Sequence, residues 1–438
     1  MKDFVAGLLV VVLCVSSSQA IDRTHYRELQ KKFGELAQQK DWKAARELLT
    51  EMGHELPALT PRYLLTVATV EARLGHKQEA LRWLGRFAAT GLSFDLAKDD
   101  DLKALLSEEA GQKIAAQMKA NSKPVATTEL VCALPQVDIM PEDLTHLKSS
   151  NIFIVSSIQH HTPYQVSPPK AGTKECTMQE LPLPAEAKRW PTLAVSADPK
   201  RKALWITSSA MPDFVGFPKE DQGKALLLEI DEASGQILHS FDPGATSPAV
   251  LGDMSVAEDG AVYVTDSIGG GVYRLRGDPQ TAKLEKIADG LFSPQTPVLA
   301  RDGKRLFVAD YSLGIAVVDL TATGPAAKVT YLPHPENVAV VTLDGLYLNG
   351  DSLVGIQNGI EPMRIMRFRL NHAQTEITGG EVIEQSERMG DPTHVIAVDG
   401  WFYVSANVGW NKVDDSGKLK PGENFTAPVL LRFPAGPR

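Results

Sequence analysis

The sequence contains few cysteines. Cysteine occurs three times in 438 residues, at positions 14, 132 and 176. Cys14 lies in a predicted leader, and the two remaining cysteines are too few for a disulfide framework. The sequence alone leaves open whether Cys132 and Cys176 form one disulfide after export or remain two separate buried thiols.

Basic residues are not in excess either. Acidic residues outnumber basic ones by 54 to 45, and the formal net charge is −9. No segment carries a stripe of Lys and Arg, which argues against nucleic acid and anionic membranes as partners. The sequence also lacks a Gly-x-Ser-x-Gly nucleophile elbow, a Walker phosphate loop and a Cys-x-x-Cys pair. These absences exclude several common enzyme classes.

A long apolar run stands at the N-terminus. Lys2 precedes an apolar stretch over residues 4–15, and Ser18-Gln19-Ala20 has the small-x-small form of a signal cleavage site. The run is too short to span a bilayer. We therefore predict a cleaved signal peptide over residues 1–20, a mature chain that starts at Ile21 without a membrane span, and a secreted or periplasmic protein.

Residues 21–123 show the three- and four-residue apolar spacing of amphipathic helices. The segments Lys40–Arg46 and His76–Arg82 match at an offset of 36 residues, close to the period of about 34 of tetratricopeptide repeats. The region resembles two degenerate repeats of this kind, with residues 99–120 as a further pair of capping helices. Two interpretations stay open: a groove for a protein or peptide partner, or a cap packed against the next domain.

From residue 124 onward, one strand motif recurs six times. Its third position is always aromatic, and neighbouring copies lie 40 to 58 residues apart. This period is typical of β-propeller blades. The six aromatic residues are Phe153, Trp205, Tyr263, Phe307, Tyr347 and Tyr403. We therefore predict an α plus all-β protein, with helical TPR-like hairpins (21–123) followed by a six-bladed β-propeller (124–438).

Each blade should contain four strands, labelled a to d from the axis outward. Asp-Gly pairs, a strong signal for hairpin turns, are read as a–b turns at residues 259, 302, 344 and 399. The last blade has three strands after residue 391, so Glu129–Leu134 is predicted to supply its outer strand and close the ring.

The strand order places the b–c loops and the d–a loops on one face. Several b–c loops are long, and long loops in compact domains are more often functional than not. We predict that this face binds a small molecule. The candidate contact residues in its loops are His160, His161, Asp213, Phe214 and Trp410.

Over residues 124–438, the chain resembles the SMP-30/gluconolactonase superfamily in its repeat rhythm and its Asp-Gly-aromatic-strand phrase. The resemblance implies lactone hydrolysis with one divalent metal in the channel. In that superfamily Glu, Asn and Asp from the starts of three innermost strands hold the metal. Counting back seven residues from each a–b turn of this chain gives Glu142, Gln295 and Asn337, with Glu336 adjacent. Blade three has Gly252 at this position, so one of the four compared positions is identical.

The resemblance therefore implies an altered metal site, made by Glu142, Gln295 and Asn337 or Glu336. Such oxygen ligands suit calcium, magnesium or manganese. The alternative is a polar channel filled by water. For acid–base chemistry, Asp253 matches an acid of the superfamily, and Asp391 and His394 are the best candidates outside the metal set.

The function expected from these observations is an exported propeller that binds a sugar-like or lactone-like molecule. Metal-dependent hydrolysis of a lactone or ester is the reaction that the resemblance implies, and the sequence leaves open whether the protein is an enzyme. The alternative is a non-catalytic interaction scaffold that uses the helical domain and the propeller surface. Bound metal separates the two, because only the enzyme needs an occupied channel.

Overall fold

The computed structural model describes residues 21–169, 176–322 and 329–436. The predicted signal peptide lies outside these residues, so export stays a prediction. Within the described ranges, no helix is both long and apolar enough to cross a bilayer.

Five α-helices precede the propeller in the described part of the chain. They are α1 (Arg23–Gln38), α2 (Trp42–Glu55), α3 (Pro61–Arg73), α4 (Lys77–Ala89) and α5 (Glu109–Asn121). The pairs α1/α2 and α3/α4 form hairpins. Residues 99–120 contain a 3₁₀-helix (Lys103–Ser107) followed by α5, so only one member of the predicted further pair of capping helices is an α-helix. The tetratricopeptide classification stays a prediction.

Six four-stranded sheets follow, which confirms the six-bladed propeller for the described residues. Blade one consists of β2 (Leu144–Leu147), β3 (Ile152–Val155), β4 (Tyr164–Ser167) and β5 (Thr177–Glu180). Blade two consists of β6 (Thr192–Asp198), β7 (Ala203–Ser209), β8 (Ala225–Asp231) and β9 (Ile237–Phe241). Blade three consists of β10 (Leu251–Val256), β11 (Val262–Asp266), β12 (Val272–Leu275) and β13 (Glu285–Ala288).

Blades four to six complete the ring. Blade four consists of β14 (Pro294–Leu299), β15 (Arg305–Asp310), β16 (Gly314–Asp319) and β17 (Val329–Tyr331). Blade five consists of β18 (Leu343–Asn349), β19 (Ser352–Gln357), β20 (Arg364–Leu370) and β21 (Ile377–Glu384). Blade six consists of β22 (Val395–Val398), β23 (Trp401–Ala406) and β24 (Val429–Pro434), with β1 (Glu129–Ala133) as its outermost strand.

The hydrophobic core lies between adjacent blades. Trp205 and Phe307, aromatic residues of the recurring motif, are fully buried. Trp205 belongs to a cluster with Val262 and Val264 of the next blade, and Phe307 belongs to one with Phe368. Burial of one such side chain contributes about 1.5–3 kcal/mol. The aromatic residues of the recurring strand motif therefore supply contacts that hold adjacent blades together.

The predicted ring closure is confirmed. Strand β1 pairs with β24 in antiparallel register, with Glu129 opposite Arg432. A disulfide joins Cys132 of β1 to Cys176, which precedes the outer strand of blade one. The bridge therefore links the closing blade to the first blade and settles the question that the sequence left open.

Loss of this disulfide is expected to destabilise the protein. The bridge closes a span of 44 residues, and bridges of this kind typically contribute about 2–4 kcal/mol. We expect the free energy of unfolding of a Cys132→Ala/Cys176→Ala double variant to be lower by this amount. The variant should therefore unfold at a lower denaturant concentration. Chemical denaturation with and without reductant measures it, and reductant should shift only the parent protein.

The sequence-based reading of blade five is wrong. Asp344 and Gly345 were predicted to form the a–b turn, but they lie inside the innermost strand β18, and the hairpin falls at Gly350 and Asp351. A Cβ on Gly345 would lie 2.6 Å from the carbonyl oxygen of Thr393 in blade six. Gly345 is thus required by close approach of a neighbouring backbone rather than by a turn.

The helical domain packs against the face that carries the b–c and d–a loops. Tyr26 meets Phe292 edge to face at 5.6 Å. The guanidinium of Arg23 donates to the carbonyl oxygens of Ile268 and Gly269 in the b–c loop of blade three. Buried Arg364 of blade five donates to Gly91 O at 3.1 Å. The domain therefore packs on the propeller, whereas its use as a peptide groove stays a prediction.

Candidate functional site

A cavity of about 710 Å³ opens on the face of the b–c and d–a loops. Its floor is formed by the starts of the innermost strands, and its walls by the loops above them. The floor residues are Glu142, Gly252, Asp253, Gln295 and Asp344, and the wall residues include Leu193, Met211, Asp213, Phe214, Val250, Ile268, Tyr311, Asn358, Met363, Asp391 and Trp410.

Aspartates at the ends of the second strands of blades three and four hold the d–a loops beside the cavity. Asp266 Oδ1 accepts a hydrogen bond from Val250 N at 2.9 Å, and Asp310 Oδ1 accepts one from Ser293 N at 3.1 Å. Burial raises the pKa of both aspartates, while these backbone donors oppose the rise. Both acids belong to the recurring strand motif, so the repeat that builds the blades also positions the cavity wall.

His394 lies beneath the floor, against Asp253, and is 4% exposed. Its Nδ1 is 2.9 Å from the carbonyl oxygen of Glu142, which can only accept, so Nδ1 carries a proton. Its Nε2 lies 2.6 Å from Asp253 Oδ1. Burial lowers the pKa of His394, but Asp253, Asp143 and Asp344 outweigh burial and raise it well above its ordinary value. The surroundings of His394 therefore favour its protonated form, held against Asp253.

Glu142 and Asp344 are the other two floor carboxylates around His394. Trp410 Nε1 donates to Glu142 Oε2, and Asn358 Nδ2 donates to Asp344 Oδ2 at 2.6 Å. Burial, followed by repulsion from Asp344, raises the pKa of Glu142. Burial raises the pKa of Asp344 to about 7. Each carboxylate is thus oriented by a neutral donor and held in surroundings that disfavour its negative charge.

Glu142, Asp344 and His394 could converge on one ion. Each offers a ligand atom within 4.8 Å of those of the other two. Gln295 Nε2 donates to Ser293 Oγ at 3.0 Å, which leaves Gln295 Oε1 as the atom suited to a cation. Among the described groups, buried Asp253 Oδ2 has no hydrogen-bond partner.

Most of the predicted site residues lie at this cavity. Glu142, Asp253 and Gln295 form its floor, Asp213, Phe214, Asp391 and Trp410 line its walls, and His394 lies beneath the floor. Asp391 has a structural contact as well, because its Oδ2 accepts from Gly409 N at 2.9 Å. It thereby holds the loop that carries Trp410.

Four other predicted residues lie away from the cavity floor and walls. His160 contacts Tyr164 Oη at 2.6 Å and Asp138 at 3.2 Å, and His161 lies beside Phe217. Glu336 pairs with Arg86 of the helical domain at 3.1 Å and is 83% exposed. Asn337 lies beside it.

Asp344 occupies the place that Asn337 or Glu336 was predicted to fill. The misplaced turn of blade five explains the error: counting back seven residues from Asp351, where the hairpin lies, gives Asp344. The available signal was the Gly350-Asp351 pair, which begins three residues after Tyr347. Asn358, which orients Asp344, carried no signal in the sequence pattern.

The fold and site define a six-bladed propeller with an acidic axial cavity. No protein-family model matches the chain, and no curated protein matches it. Solved propellers resemble it at low identity. A luciferin-regenerating enzyme is 13% identical, with 71% of this chain and 95% of that chain covered and a TM-score of 0.47. For an aldose sugar dehydrogenase from Streptomyces coelicolor, the identity is 14%, the coverages are 71% and 98%, and the TM-score is 0.44.

A gluconolactonase from Xanthomonas campestris is also similar. Its identity is 14%, with 71% of this chain and 95% of that chain covered and a TM-score of 0.45. The three names describe different activities. At this level of similarity the likeness concerns the fold, and the function has to be argued from the site.

Proposed function

We propose that the cavity holds one divalent cation and that the protein hydrolyses a lactone or ester there. The observation that carries this proposal is the convergence of Glu142 and Asp344 on the channel axis, at the floor of a cavity large enough for a small substrate. Pockets of about 300–1,000 Å³ are typical of small-molecule sites.

The charge balance of the floor fits a cation. Glu142, Asp143, Asp253 and Asp344 are all buried, and His394 is the positive group that faces them. Buried carboxylates need a compensating charge or hydrogen bonds. One pairs with His394, and Asp253 Oδ2 accepts no hydrogen bond from the described protein groups.

The donor atoms favour calcium, magnesium or manganese. His394 has both ring nitrogens engaged, at 2.9 Å to Glu142 O and at 2.6 Å to Asp253 Oδ1. The available donors are therefore the oxygens of Glu142, Gln295 and Asp344, and hard divalent cations prefer oxygen ligands. Coordination of zinc by His394 would require its Nε2 to leave Asp253.

The chain's own residues have separate roles in this proposal. A bound divalent cation would polarise the ester carbonyl and lower the pKa of a water molecule. Asp253, which lines the cavity, would accept a proton from the attacking water and return it to the departing alkoxide oxygen, and His394 holds Asp253 in place. Trp410 and Asn358 orient the two carboxylates that would hold the ion. Tyr311 extends this support by donating to Asn358 Oδ1 at 2.9 Å.

Metal binding should be measurable on the purified mature chain. We expect about one calcium, magnesium or manganese ion per chain by elemental analysis. Added cation should stabilise the chelator-treated protein by about 2.7 kcal/mol at 100 times Kd, because it binds only the folded state. Unfolding with each cation and with chelator measures this. Absence of both metal and stabilisation would exclude the mechanism and favour the scaffold.

A further inference from the structure

One side of the cavity is an apolar wall, defined here as Leu193, Met211, Phe214, Val250 and Trp410. Phe214 meets Trp410 at a centroid distance of 6.1 Å. Four of these residues belong to an apolar cluster under the b–c loops of blades one, two and six, and Trp410 packs against that cluster. The wall therefore continues into packed core and does not consist of isolated exposed side chains.

The central residue of the apolar wall is held in place. Phe214 is 8% exposed, and a Cβ on Gly417 would lie 2.4 Å from its ring. The next residue, Val215, donates through its backbone to Ser416 O at 3.1 Å. Asp213, which precedes Phe214, has a positive φ of 66°. Backbone strain of this kind persists only where the surroundings enforce it, so the wall is preorganised.

The charges around the cavity are of one sign. Of the described residues that line it, none is Lys or Arg, whereas Glu142, Asp213, Asp253, Asp344 and Asp391 are acidic. A divalent cation on the floor would offset Glu142 and Asp344, and His394 offsets Asp253. Asp213 and Asp391 remain. A phosphorylated or carboxylate substrate would therefore meet like charges without a basic partner.

We infer that the substrate is an uncharged lactone or ester with an apolar substituent of several carbons. This inference rests on the proposed hydrolysis and names its substrate class. The carbonyl lies over the carboxylate floor, and the substituent lies against the apolar wall. Sugar lactones are disfavoured, because their hydroxyls would lose water at this wall without gaining hydrogen-bond partners.

A chain-length series on the cation-loaded protein tests the inference. γ-Butyrolactone, γ-nonalactone and D-glucono-1,5-lactone are compared by pH-stat hydrolysis and, separately, by calorimetric binding. Because each buried methylene is worth about a fourfold change, kcat/KM and affinity should each rise at least about 10-fold from butyrolactone to nonalactone. Gluconolactone should fall below nonalactone in both measurements.

Two variants locate the effect. Phe214→Ala should reduce the nonalactone preference by about 10-fold, because the contact surface is removed. Phe217→Ala is the matched control: Phe217 packs at the edge of the same cluster but does not line the cavity, so the chain-length dependence should persist.

The outcomes separate this inference from the proposed function. Hydrolysis with no dependence on chain length, or with gluconolactone preferred, would overturn the substrate class and leave the hydrolase. Nonalactone binding that depends on chain length but occurs without hydrolysis would support the ligand class and reject the hydrolase. If no probe is bound and none is hydrolysed, both the substrate class and the hydrolase are rejected.

Discussion

Replacing Asp344 with asparagine is expected to lower the affinity for divalent cations by at least about 100-fold, because removing even an outer partner of a metal ligand typically costs 10- to 100-fold. The same change should stabilise the metal-free protein. The pKa of Asp344 is raised to about 7 by burial, so its ionised form is destabilising at neutral pH. The expected gain in the free energy of unfolding is about 1–4 kcal/mol, because each pKa unit by which burial raises the pKa of Asp344 corresponds to about 1.4 kcal/mol.

The two effects have opposite signs, which separates a ligand from a merely structural residue. Calorimetric titration with calcium or manganese measures the first effect, and denaturation in chelator measures the second. Glu336→Gln is the control, because Glu336 faces Arg86 at the surface and should change neither quantity by more than about 0.5 kcal/mol. Unaltered cation affinity in Asp344→Asn would remove Asp344 from the site.

Replacing Arg364 with methionine is expected to destabilise the protein by at least about 3 kcal/mol. Arg364 is 1% exposed and donates to Gln357 Oε1 at 2.8 Å, Gly91 O at 3.1 Å and Thr90 O at 3.4 Å. Burial lowers the pKa of its guanidinium to about 10, so it stays charged at neutral pH. Methionine fills the space but leaves three acceptors unpaired, at about 1–3 kcal/mol each.

The change should also loosen the cavity wall. Met363, which lines the cavity, immediately precedes Arg364, so the loop that bears it is tied to the helical domain. Hydrogen exchange should increase in α3, in α4 and in residues 358–363. Arg369→Met in the same strand is exposed and serves as the control. Equal stability of the two variants would show that Arg364 does not join the domains.

The blade count and the ring closure could be predicted because both depend on local patterns. The aromatic strand motif and the three-strand last blade are visible in the sequence, and the pairing of β1 with β24 bears them out. Blade five was misread because Asp-Gly normally signals a turn. Gly345 instead accommodates the backbone of Thr393, a contact that only the assembled ring creates.

The site could be predicted in part for the same reason. Glu142 and Gln295 follow from their distance to correctly placed turns, and Asp344 was missed with its turn. His160 and His161 stand in a loop on the correct face, yet His160 is engaged by Tyr164. Which way a loop residue points depends on its packing partners, and a sequence pattern does not contain them.

The closing strand has a consequence for biosynthesis. Glu129 of β1 and Arg432 of β24 are 303 residues apart, so β1 has no partner until almost the whole propeller has been made. Until β24 has been made, β1 and the outer edge of β23 both present open hydrogen-bonding edges, which favour aggregation. Contacts between such distant segments also form slowly. Truncation before Val429 removes only β24, but it leaves both β1 and β23 without a partner. The result is an open ring with two unpaired strand edges.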